Sequence, residues 1–395
     1  MKTGSASTSI VVDSLSILQR LVAFRPISSS SNLPLIDFCV QRLREAGIVA
    51  HTVSSPCGRK AALYATIGPD VPGGVALSGH TDVVPTDGQT WMSDPWTVVE
   101  RSGTLYGRGT SDMLGFVSLC LAAAPAYASR PLRRPLHLAF SYDEETDCAG
   151  GKQLVERLKA KLATPTLVIV GEPTSQSVVL GHKSYTELRI TAKGAAVHSS
   201  RPDLGASALT AAARTIAYIG DLQNTLASDK KRQDSRFSPP FSTLNCGIFH
   251  SGTAPSTVAA EAVFSVDIRT VPSVSPDDLI SKIRSFAATL CERPTFEGGS
   301  TCDFSVDVVT AIPGLTPSLT SNARTFVERL NLLVSEKTIS GGTEAGLFQA
   351  AGWPTIVCGP GDLQRAHVAD EFITIQELEA YAVLLKGIAD ELCTD

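Results

Sequence analysis

Side chains able to bind a metal ion or to transfer a proton follow short apolar runs at several points of the chain. His80 comes directly after residues 75–78, an apolar run that predicts a strand. Loops at the carboxyl ends of strands form the ligand-binding crevice of α/β sheets, so a histidine there can serve as a ligand. Asp82 can accept a hydrogen bond from the second ring nitrogen and fix the tautomer. A hydrogen-bonded polar residue without a ligand is the alternative.

Carboxylates occupy three comparable positions further along the chain. Asp112 lies in a glycine-rich turn before a predicted helix, residues 143–145 are three consecutive acids that end a buried strand, and Glu172 directly follows an apolar strand. Asp112 could instead cap the helix. Three like charges in a row repel one another unless solvent or a cation compensates them, so a solvated loop is the alternative for the acidic run.

A second histidine, His367, lies in a Gly/Pro-rich loop after a short strand near the end of the chain. Converging carboxylates with two histidines and no thiolate are typical of a two-metal hydrolytic site. In such sites a carboxylate bridges two ions roughly 3.5–4 Å apart. The joint pattern therefore predicts a two-metal hydrolase.

These side chains can meet only if a sheet brings the strand ends together. Apolar runs predict strands at residues 61–67, 75–78, 136–141 and 167–170, and helical spacing predicts helices at residues 11–24, 34–47, 115–127 and 151–161. Nearly continuous apolar strands indicate a mixed sheet covered by helices on both faces. The predicted class is α/β.

The pattern changes after Gly181, where strands at residues 187–191 and 263–269 alternate polar and apolar side chains. Helices are predicted at 206–227 and 276–292 and a strand at 304–309. The predicted order is β-α-β-β-α-β, with one of the four strands not delimited, and indicates a two-layer α+β domain. After Pro313 the α/β pattern resumes, with a helix at 318–330, a strand at 355–358 and a helix at 375–392. We therefore predict a first domain over residues 1–181 and 312–395, interrupted by an inserted lid domain over 182–311.

Composition narrows the possible classes. The chain has 395 residues, which favours two domains, and a formal charge of -5 without the basic block that nucleic-acid binding needs. The longest apolar stretch, residues 116–128, is shorter than the roughly 20 residues that span a membrane. No secretory signal is predicted, so we expect a cytoplasmic protein. Nine scattered cysteines without a CxxC pair indicate reduced thiols, which leaves metal binding to His, Asp and Glu.

The ordered set of motifs resembles the co-catalytic zinc amidohydrolases and exopeptidases over nearly the whole chain. Within that family, residues 340–346 and the segments 358–361 and 366–371 are most similar to those of the acetylornithine deacetylases. The resemblance implies a zinc-exopeptidase-like catalytic domain with a lid. It also implies two divalent ions, Zn²⁺ first and Co²⁺ second, and a homodimer formed through the lid.

Site residues follow from the resemblance by position. It implies His80, Asp112 and Glu172 on one metal and Asp112, Glu145 and His367 on the other, with Glu144 as general base and Asp82 as the residue that orients His80. The peptide bond between Asp112 and Met113 is expected to be cis. The chain has Leu114 where many relatives carry Lys, a departure expected to alter the local surface charge.

The inserted domain contributes further residues by the same resemblance. His198 is expected to reach an active site, in its own subunit or in the partner, although a solvated turn is the alternative for this histidine. Asn245 and Arg269 match positions that face the cleft, and the Arg fork suits a substrate carboxylate. Gly342 and Thr343 could donate backbone N–H groups to the same carboxylate. The other histidines, His51, His137, His182 and His250, match no ligand position.

The implied reaction is metal-dependent removal of an acyl group from a small-molecule N-acyl amino acid, with N2-acetyl-L-ornithine in arginine biosynthesis as the first candidate. Another N-acyl amino acid deacylase or a dipeptidase of the same architecture is the nearest alternative, because the pocket alone distinguishes them. A catalytically silent ligand-binding protein is a further alternative. The presence of Glu144 beside Glu145 argues against it, since a storage site needs no non-ligating base.

Overall fold

The computed structural model describes residues 4–291 and 300–394, and the chain divides into two compact units. The first unit comprises Met1–Gly181, Thr316–Glu336 and Thr343–Asp395. The second comprises His182–Leu315 and Lys337–Gly342.

The elements are numbered in chain order. The first segment of unit 1 contains α1 (Gly4–Ala23), α2 (Leu33–Glu45), β1 (Ala50–Ser54), β2 (Ala61–Ile67), β3 (Val75–His80), β4 (Val99–Arg101), β5 (Thr104–Tyr106), α3 (Leu114–Ala128), β6 (Leu136–Ser141), α4 (Ala149–Lys161) and β7 (Leu167–Pro173). Unit 2 contains β8 (Tyr185–Lys193), α5 (Ala208–Ser228), β9 (Thr243–Ser251), β10 (Glu261–Arg269), α6 (Pro276–Cys291) and β11 (Asp303–Ile312). The chain then returns to unit 1 with α7 (Ser321–Arg329), α8 (Ala345–Ala350), β12 (Thr355–Gly359), β13 (Phe372–Thr374) and α9 (Ile375–Leu392).

The main sheet of unit 1 is mixed, with the strand order β1-β2-β6-β3-β7-β12. The four strands from β6 to β12 pair in parallel, whereas β1 and β2 are antiparallel. Strands β3, β6 and β7 are buried along their whole length, as their nearly continuous apolar sequence requires. The predicted α/β class with a mixed sheet is confirmed.

Helix α3 packs closely against this sheet because two strands have a glycine where it crosses. A Cβ atom at Gly171 would lie 2.2 Å from the ring of Phe116, so any larger residue would push the helix away. Gly171 precedes Glu172 in β7, and Asp112 lies just before α3. The close approach therefore brings the ends of β7 and α3 together, where two of the predicted ligands lie.

Unit 2 is an antiparallel four-stranded sheet, in the order β11-β8-β10-β9, with helices α5 and α6. The two central strands, β8 and β10, alternate buried side chains with partly exposed or exposed ones. The buried side of the sheet, with Ile190 and Phe264, packs with Ile283 of α6 in a hydrophobic core of its own. The unit therefore has the element order β-α-β-β-α-β.

Some elements differ from the sequence-based prediction. Helix α1 begins at Gly4, whereas the predicted helix began at Val11. The prediction missed the first turns because their polar residues show no apolar spacing. Strands β4, β5 and β13 form a small sheet that the sequence did not predict, since three-residue strands are too short to show periodicity. The predicted end of α6 at Glu292 lies outside the described residues. Within residues 4–291 and 300–394, no helix has the length and apolar character needed to cross a membrane.

Candidate metal centre

The carboxyl ends of three neighbouring parallel strands bring together most of the predicted site residues. His80 is the last residue of β3, Glu172 lies near the end of β7, and Glu144 and Glu145 follow β6. Because β3 pairs with both β6 and β7, these three ends lie side by side. Asp112, in the turn before α3, joins them.

The first potential ligand group consists of His80, Asp112 and Glu172, each of which offers an atom within 4.8 Å of the others. His80 Nε2 lies 3.1 Å from Asp112 Oδ1 and 3.8 Å from Glu172 Oε1. All three residues are buried. We call this set the buried group.

The second potential ligand group consists of Asp112, Glu145 and His367 within the same 4.8 Å limit. His367 Nε2 lies 3.4 Å from Asp112 Oδ2 and 2.9 Å from Glu145 Oε2. The side chain of His367 is 52% exposed, so this set has one face toward solvent. We call it the exposed group. Asp112 thus directs one carboxylate oxygen toward each group, as a bridging ligand does.

The donor set suits divalent cations. Burial raises the pKa of Glu172 well above its usual value, and the negative charges of Asp112 and Glu144 add to the effect. Burial likewise raises the pKa of Glu145, with Asp112 as the next cause. The buried Oε1 atom of Glu172 has no hydrogen-bond partner among the residues that the structure describes. A cation would offset this repulsion and supply the missing partner.

The nearby carboxylates raise the pKa values of both histidines. Burial opposes charging of the His80 ring, but the hydrogen bond with Asp112 and the nearby acids outweigh it and raise its pKa well above the usual value. Hydrogen bonds with Asp112 and Glu145 raise the pKa of His367 to about 10. Since a metal ligand must be the neutral imidazole, metal binding would release these protons.

Asp82 fixes His80 by a different atom from the one expected. The Nδ1–H of His80 donates to the backbone oxygen of Asp82 at 2.9 Å, whereas the carboxylate Oδ1 lies 3.7 Å away. The Asp82 carboxylate instead accepts the hydroxyl of Ser28 at 2.7 Å and the backbone N–H groups of Glu144 and Glu145 at 3.1 and 3.3 Å. Asp82 therefore orients the ring through its main chain and holds the acidic turn through its side chain.

The three consecutive acids have three different environments. Asp143 forms an ion pair with Lys60, and Glu145 belongs to the exposed group. Among the described residues, Glu144 belongs to neither potential ligand group. Burial raises the pKa of Glu144 well above its usual value, and Glu145 and Asp112 add to the effect. A carboxylate with a raised pKa that is not a ligand can act as a general base or acid.

The turn that carries Asp112 agrees with one of the two expectations about it and excludes the alternative of a helix cap. The peptide bond between Asp112 and Met113 is cis, as the resemblance implied. The expectation that Leu114 alters the surface charge was wrong, because Leu114 is fully buried and belongs to the hydrophobic core. Asp112 does not act as a helix cap, since α3 begins after Met113 without a side-chain cap.

Two buried carboxylates near the site were not singled out from the sequence. Glu371 accepts hydrogen bonds from the backbone N–H groups of Gly109, Ser111 and Asp112, each at 3.0 Å. Glu344 accepts the hydroxyl groups of Ser78 and Ser141, both at 2.6 Å. These partners are distant in sequence, so no local spacing could have indicated them.

The residues predicted from the inserted domain lie in unit 2. Asn245 pairs with Asp267 across β9 and β10, and Asp267 contacts Arg269 at 3.2 Å, so the three share one face of the sheet. Arg269 also stacks on the ring of Tyr185, with 4.8 Å between its guanidinium carbon and the ring centre. His198 is exposed and hydrogen-bonds to Ser200 Oγ at 2.8 Å.

The two neighbouring loop residues fall in different units. Gly342 ends the last segment of unit 2, and Thr343 begins a segment of unit 1. Thr343 is buried, and its hydroxyl accepts the backbone N–H of Ala345 at 3.1 Å at the start of α8.

Comparison with known proteins agrees with this architecture. Residues 76–391 match the model of peptidase family M20/M25/M40. The chain is 32% identical over 387 residues to an acetylornithine deacetylase from Photorhabdus laumondii subsp. laumondii, a match covering 96% of this chain and 97% of the relative.

Two solved structures share the fold. One is an M20 family metallo-carboxypeptidase from Sulfolobus solfataricus, with a TM-score of 0.73, 16% identity and coverage of 96% of this chain and 99% of that one. The other, a dinuclear metal-binding peptidase of the M20 family from Bacillus subtilis, has a TM-score of 0.64, 14% identity and coverage of 97% and 98%. The family match and the sequence relative together show that the chain belongs to peptidase family M20/M25/M40.

Proposed function

We propose that the protein is a two-metal amide hydrolase that converts N2-acetyl-L-ornithine to L-ornithine and acetate. The observation that carries the proposal is the position of Asp112, whose two carboxylate oxygens face two different sets of His and carboxylate ligands. The substrate follows from the Photorhabdus laumondii relative, which is similar over nearly the whole chain. Arginine biosynthesis in the cytoplasm is the corresponding role.

The proposed metal ligands are His80, Asp112 and Glu172 for one ion and Asp112, Glu145 and His367 for the other. Nitrogen and oxygen ligands of this kind suit Zn²⁺, with Co²⁺ as the second candidate. Two such cations would supply Lewis-acid chemistry by polarising the acyl carbonyl and activating a water molecule.

Glu144 is the proposed general base and acid. Its carboxylate takes a proton from the attacking water as the new C–O bond forms at the acyl carbon. It then gives that proton to the amine nitrogen as the C–N bond breaks. The pKa of Glu144 is raised by burial and by neighbouring acids, which favours a group that must both accept and return a proton.

Four residues are proposed to bind the amino-acid end of the substrate. Arg269 is the proposed partner of the substrate carboxylate, with Asn245 on the same sheet face. The contacts of Arg269 with Asp267 measure 3.2 Å, longer than the roughly 2.7–2.9 Å of a strong charge-assisted hydrogen bond. Asp267 is therefore a weak competitor for the guanidinium. Gly342 and Thr343 are the proposed neutral donors.

His198 is the proposed stabiliser of the oxyanion that develops on the acyl oxygen. Its side chain is exposed and hydrogen-bonds to the neighbouring Ser200, which leaves it accessible to a substrate. The inserted domain is proposed to act as a mobile lid and as the surface of a homodimer. His198 would then act in its own subunit or in the partner.

Another N-acyl amino acid deacylase activity or a dipeptidase activity is the second candidate. It is favoured by the structural similarity to a metallo-carboxypeptidase, because the same ligand groups can serve any of these substrates. The substrate pocket, rather than the ligand set, decides between them.

The test is turnover on a small substrate panel after chelation and metal replacement. The panel contains N2-acetyl-L-ornithine, a succinylated amino acid and a dipeptide, and each is assayed with the chelated protein before and after addition of Zn²⁺ or Co²⁺. We expect metal-dependent hydrolysis, fastest for N2-acetyl-L-ornithine. Preference for the dipeptide would replace the substrate assignment, and hydrolysis that is insensitive to chelation would refute the metal-dependent mechanism.

A further inference from the structure

A set of three side chains outside the ligand groups connects the turn of Asp112 to the loop of His367. We propose that Gln89, Arg108 and Glu371, which we call the clamp, are positioning residues that set metal affinity, Gln89 at the exposed group and Glu371 at both groups. The inference rests on the proposed function only in taking the two groups as metal sites. None of the three clamp residues is itself a member of either group.

Glu371 holds the turn that carries Asp112. Its carboxylate is 1% exposed, with Oε1 accepting the backbone N–H groups of Ser111 and Asp112 and Oε2 accepting that of Gly109, each at 3.0 Å. Arg108 Nη1 donates to Oε2 at 2.7 Å. Four donors therefore converge on one carboxylate, which fixes the backbone from residue 109 to the bridging ligand.

Gln89 holds the loop that carries His367. Its Nε2 donates to the backbone oxygen of His367 at 2.7 Å, and its Oε1 accepts Arg108 Nη2 at 2.6 Å. Arg108 Nη1 also lies 3.2 Å from the backbone oxygen of Val368. The clamp thus forms a continuous path of hydrogen bonds from the main chain of Asp112 to the main chain of His367.

The His367 loop needs such support because of its conformation. His367 and Asp370 have φ values of 64° and 55°, in the left-handed region that non-glycine residues adopt at a cost. The ring of His367 is half exposed, so packing alone does not hold it. Removing an external hydrogen bond from this loop should therefore let the ring leave the position in which it faces Asp112 and Glu145.

The clamp should affect the two groups unequally. His80 is fixed by its own strand and by the backbone oxygen of Asp82, neither of which involves the clamp. Gln89 contacts the His367 loop, so its loss should weaken the exposed group alone. Glu371 holds Asp112, which both groups share, so its loss should weaken both.

The experiment is a Co²⁺ titration of the chelated full-length protein, followed by calorimetry and by the visible absorption of the bound ion. We compare the wild type with Gln89→Ala, Glu371→Gln and a control, Gln349→Ala. Gln349 also holds a main-chain peptide, with hydrogen bonds of 2.7 and 2.9 Å to Thr316, but it touches no proposed ligand. In Glu371→Gln, an NH₂ group replaces one of the two carboxylate oxygens. Each of those oxygens accepts two hydrogen bonds, so the new NH₂ group faces two donors.

We expect Gln89→Ala to weaken one of two binding steps by about tenfold and Glu371→Gln to weaken both by roughly 10–100-fold. Gln349→Ala should match the wild type. Excess Co²⁺ should restore the turnover of Gln89→Ala, since a positioning residue does not take part in the reaction. If Glu371→Gln fails to fold, Gln89→Ala decides alone.

The clamp proposal would be wrong if both Co²⁺ binding steps of Gln89→Ala had wild-type affinity. It would also be wrong if Gln349→Ala lost as much Co²⁺ affinity as Gln89→Ala. If the metal centre of the proposed function were wrong, the result would differ, because the wild type itself would bind fewer than two Co²⁺ ions. The titration therefore separates an incorrect clamp from an incorrect metal centre.

Discussion

The buried and exposed ligand groups share Asp112 but are constructed differently. His80 and Glu172 belong to adjacent parallel strands, so the sheet itself sets the distance between them. Glu145 and His367 belong to loops that side chains from elsewhere hold. The Asp82 carboxylate accepts the backbone N–H of Glu145, and the Gln89 amide donates to the backbone oxygen of His367. The difference shows that strand pairing sets the distance between ligands on a sheet, with the Asp82 main chain orienting the His80 ring, whereas ligands on loops need side chains from elsewhere to hold them.

The histidines of the two groups also differ in their exposure to solvent. The side chain of His80 is fully buried, and that of His367 is 52% exposed. We therefore expect the buried group to depend on the packing of the fold and the exposed group to depend on local hydrogen bonds.

The largest effect is expected from Asp112→Asn. Because each carboxylate oxygen of Asp112 faces one group, the neutral amide should weaken both sites and reduce hydrolysis to background. Elemental analysis after gel filtration measures the bound metal, and Asp70→Asn, an exposed acid of the same unit, is the control. Retention of two ions by Asp112→Asn would show that Asp112 is not the bridge.

His80→Ala and His367→Ala should each weaken one metal site but differ in their effect on the fold. In chelated protein, His80→Ala leaves buried partners unsatisfied and should lower the free energy of unfolding by about 1–3 kcal/mol. His367→Ala removes a ring that is 52% exposed, so solvent can replace its contacts with Asp112 and Glu145 and the loss of stability should be smaller. Urea unfolding of both variants measures the difference. Equal losses of stability would remove the distinction between a packed group and a loop-held group.

A smaller effect is expected from Arg269→Ala, which should leave both metal sites unchanged. Loss of a charge-assisted hydrogen bond worth roughly 1.5–3 kcal/mol should lower kcat/KM by about one to two decades. Arg189→Ala, an exposed arginine in β8 of the same sheet, is the matched control.

The loss in Arg269→Ala should shrink for a substrate whose carboxylate is replaced by an amide. An equal loss on both substrates would show that Arg269 does not bind the carboxylate. A change in metal content would show that unit 2 affects the ligand groups directly.

The sequence predicted the buried group more fully than its surroundings. His80 and Glu172 follow apolar runs that became buried parallel strands, and such runs are visible in a single sequence. The carboxyl ends of those strands had to meet because adjacent parallel strands end on the same edge of the sheet. His367 was identified from its loop motif and from the family resemblance rather than from any apolar periodicity.

The supporting contacts could not be predicted in this way. Gln89 contacts residues 278 positions away, and Glu371 contacts backbone groups about 260 positions away. These are side-chain to main-chain hydrogen bonds, which place no requirement on the identity of the second residue. The role of the Asp82 backbone in orienting His80 was missed for the same reason, since a carbonyl group is present at every position.

The central claim is that Glu144 acts on the substrate while its neighbour Glu145 holds a metal ion. The most direct test is to measure metal content and kcat together for Glu144→Gln, with Glu145→Gln as the comparison. We predict that Glu144→Gln keeps two ions and loses at least about 10²-fold in kcat, whereas Glu145→Gln loses metal affinity at the exposed group. Loss of an ion from Glu144→Gln, or an unchanged kcat, would contradict the account.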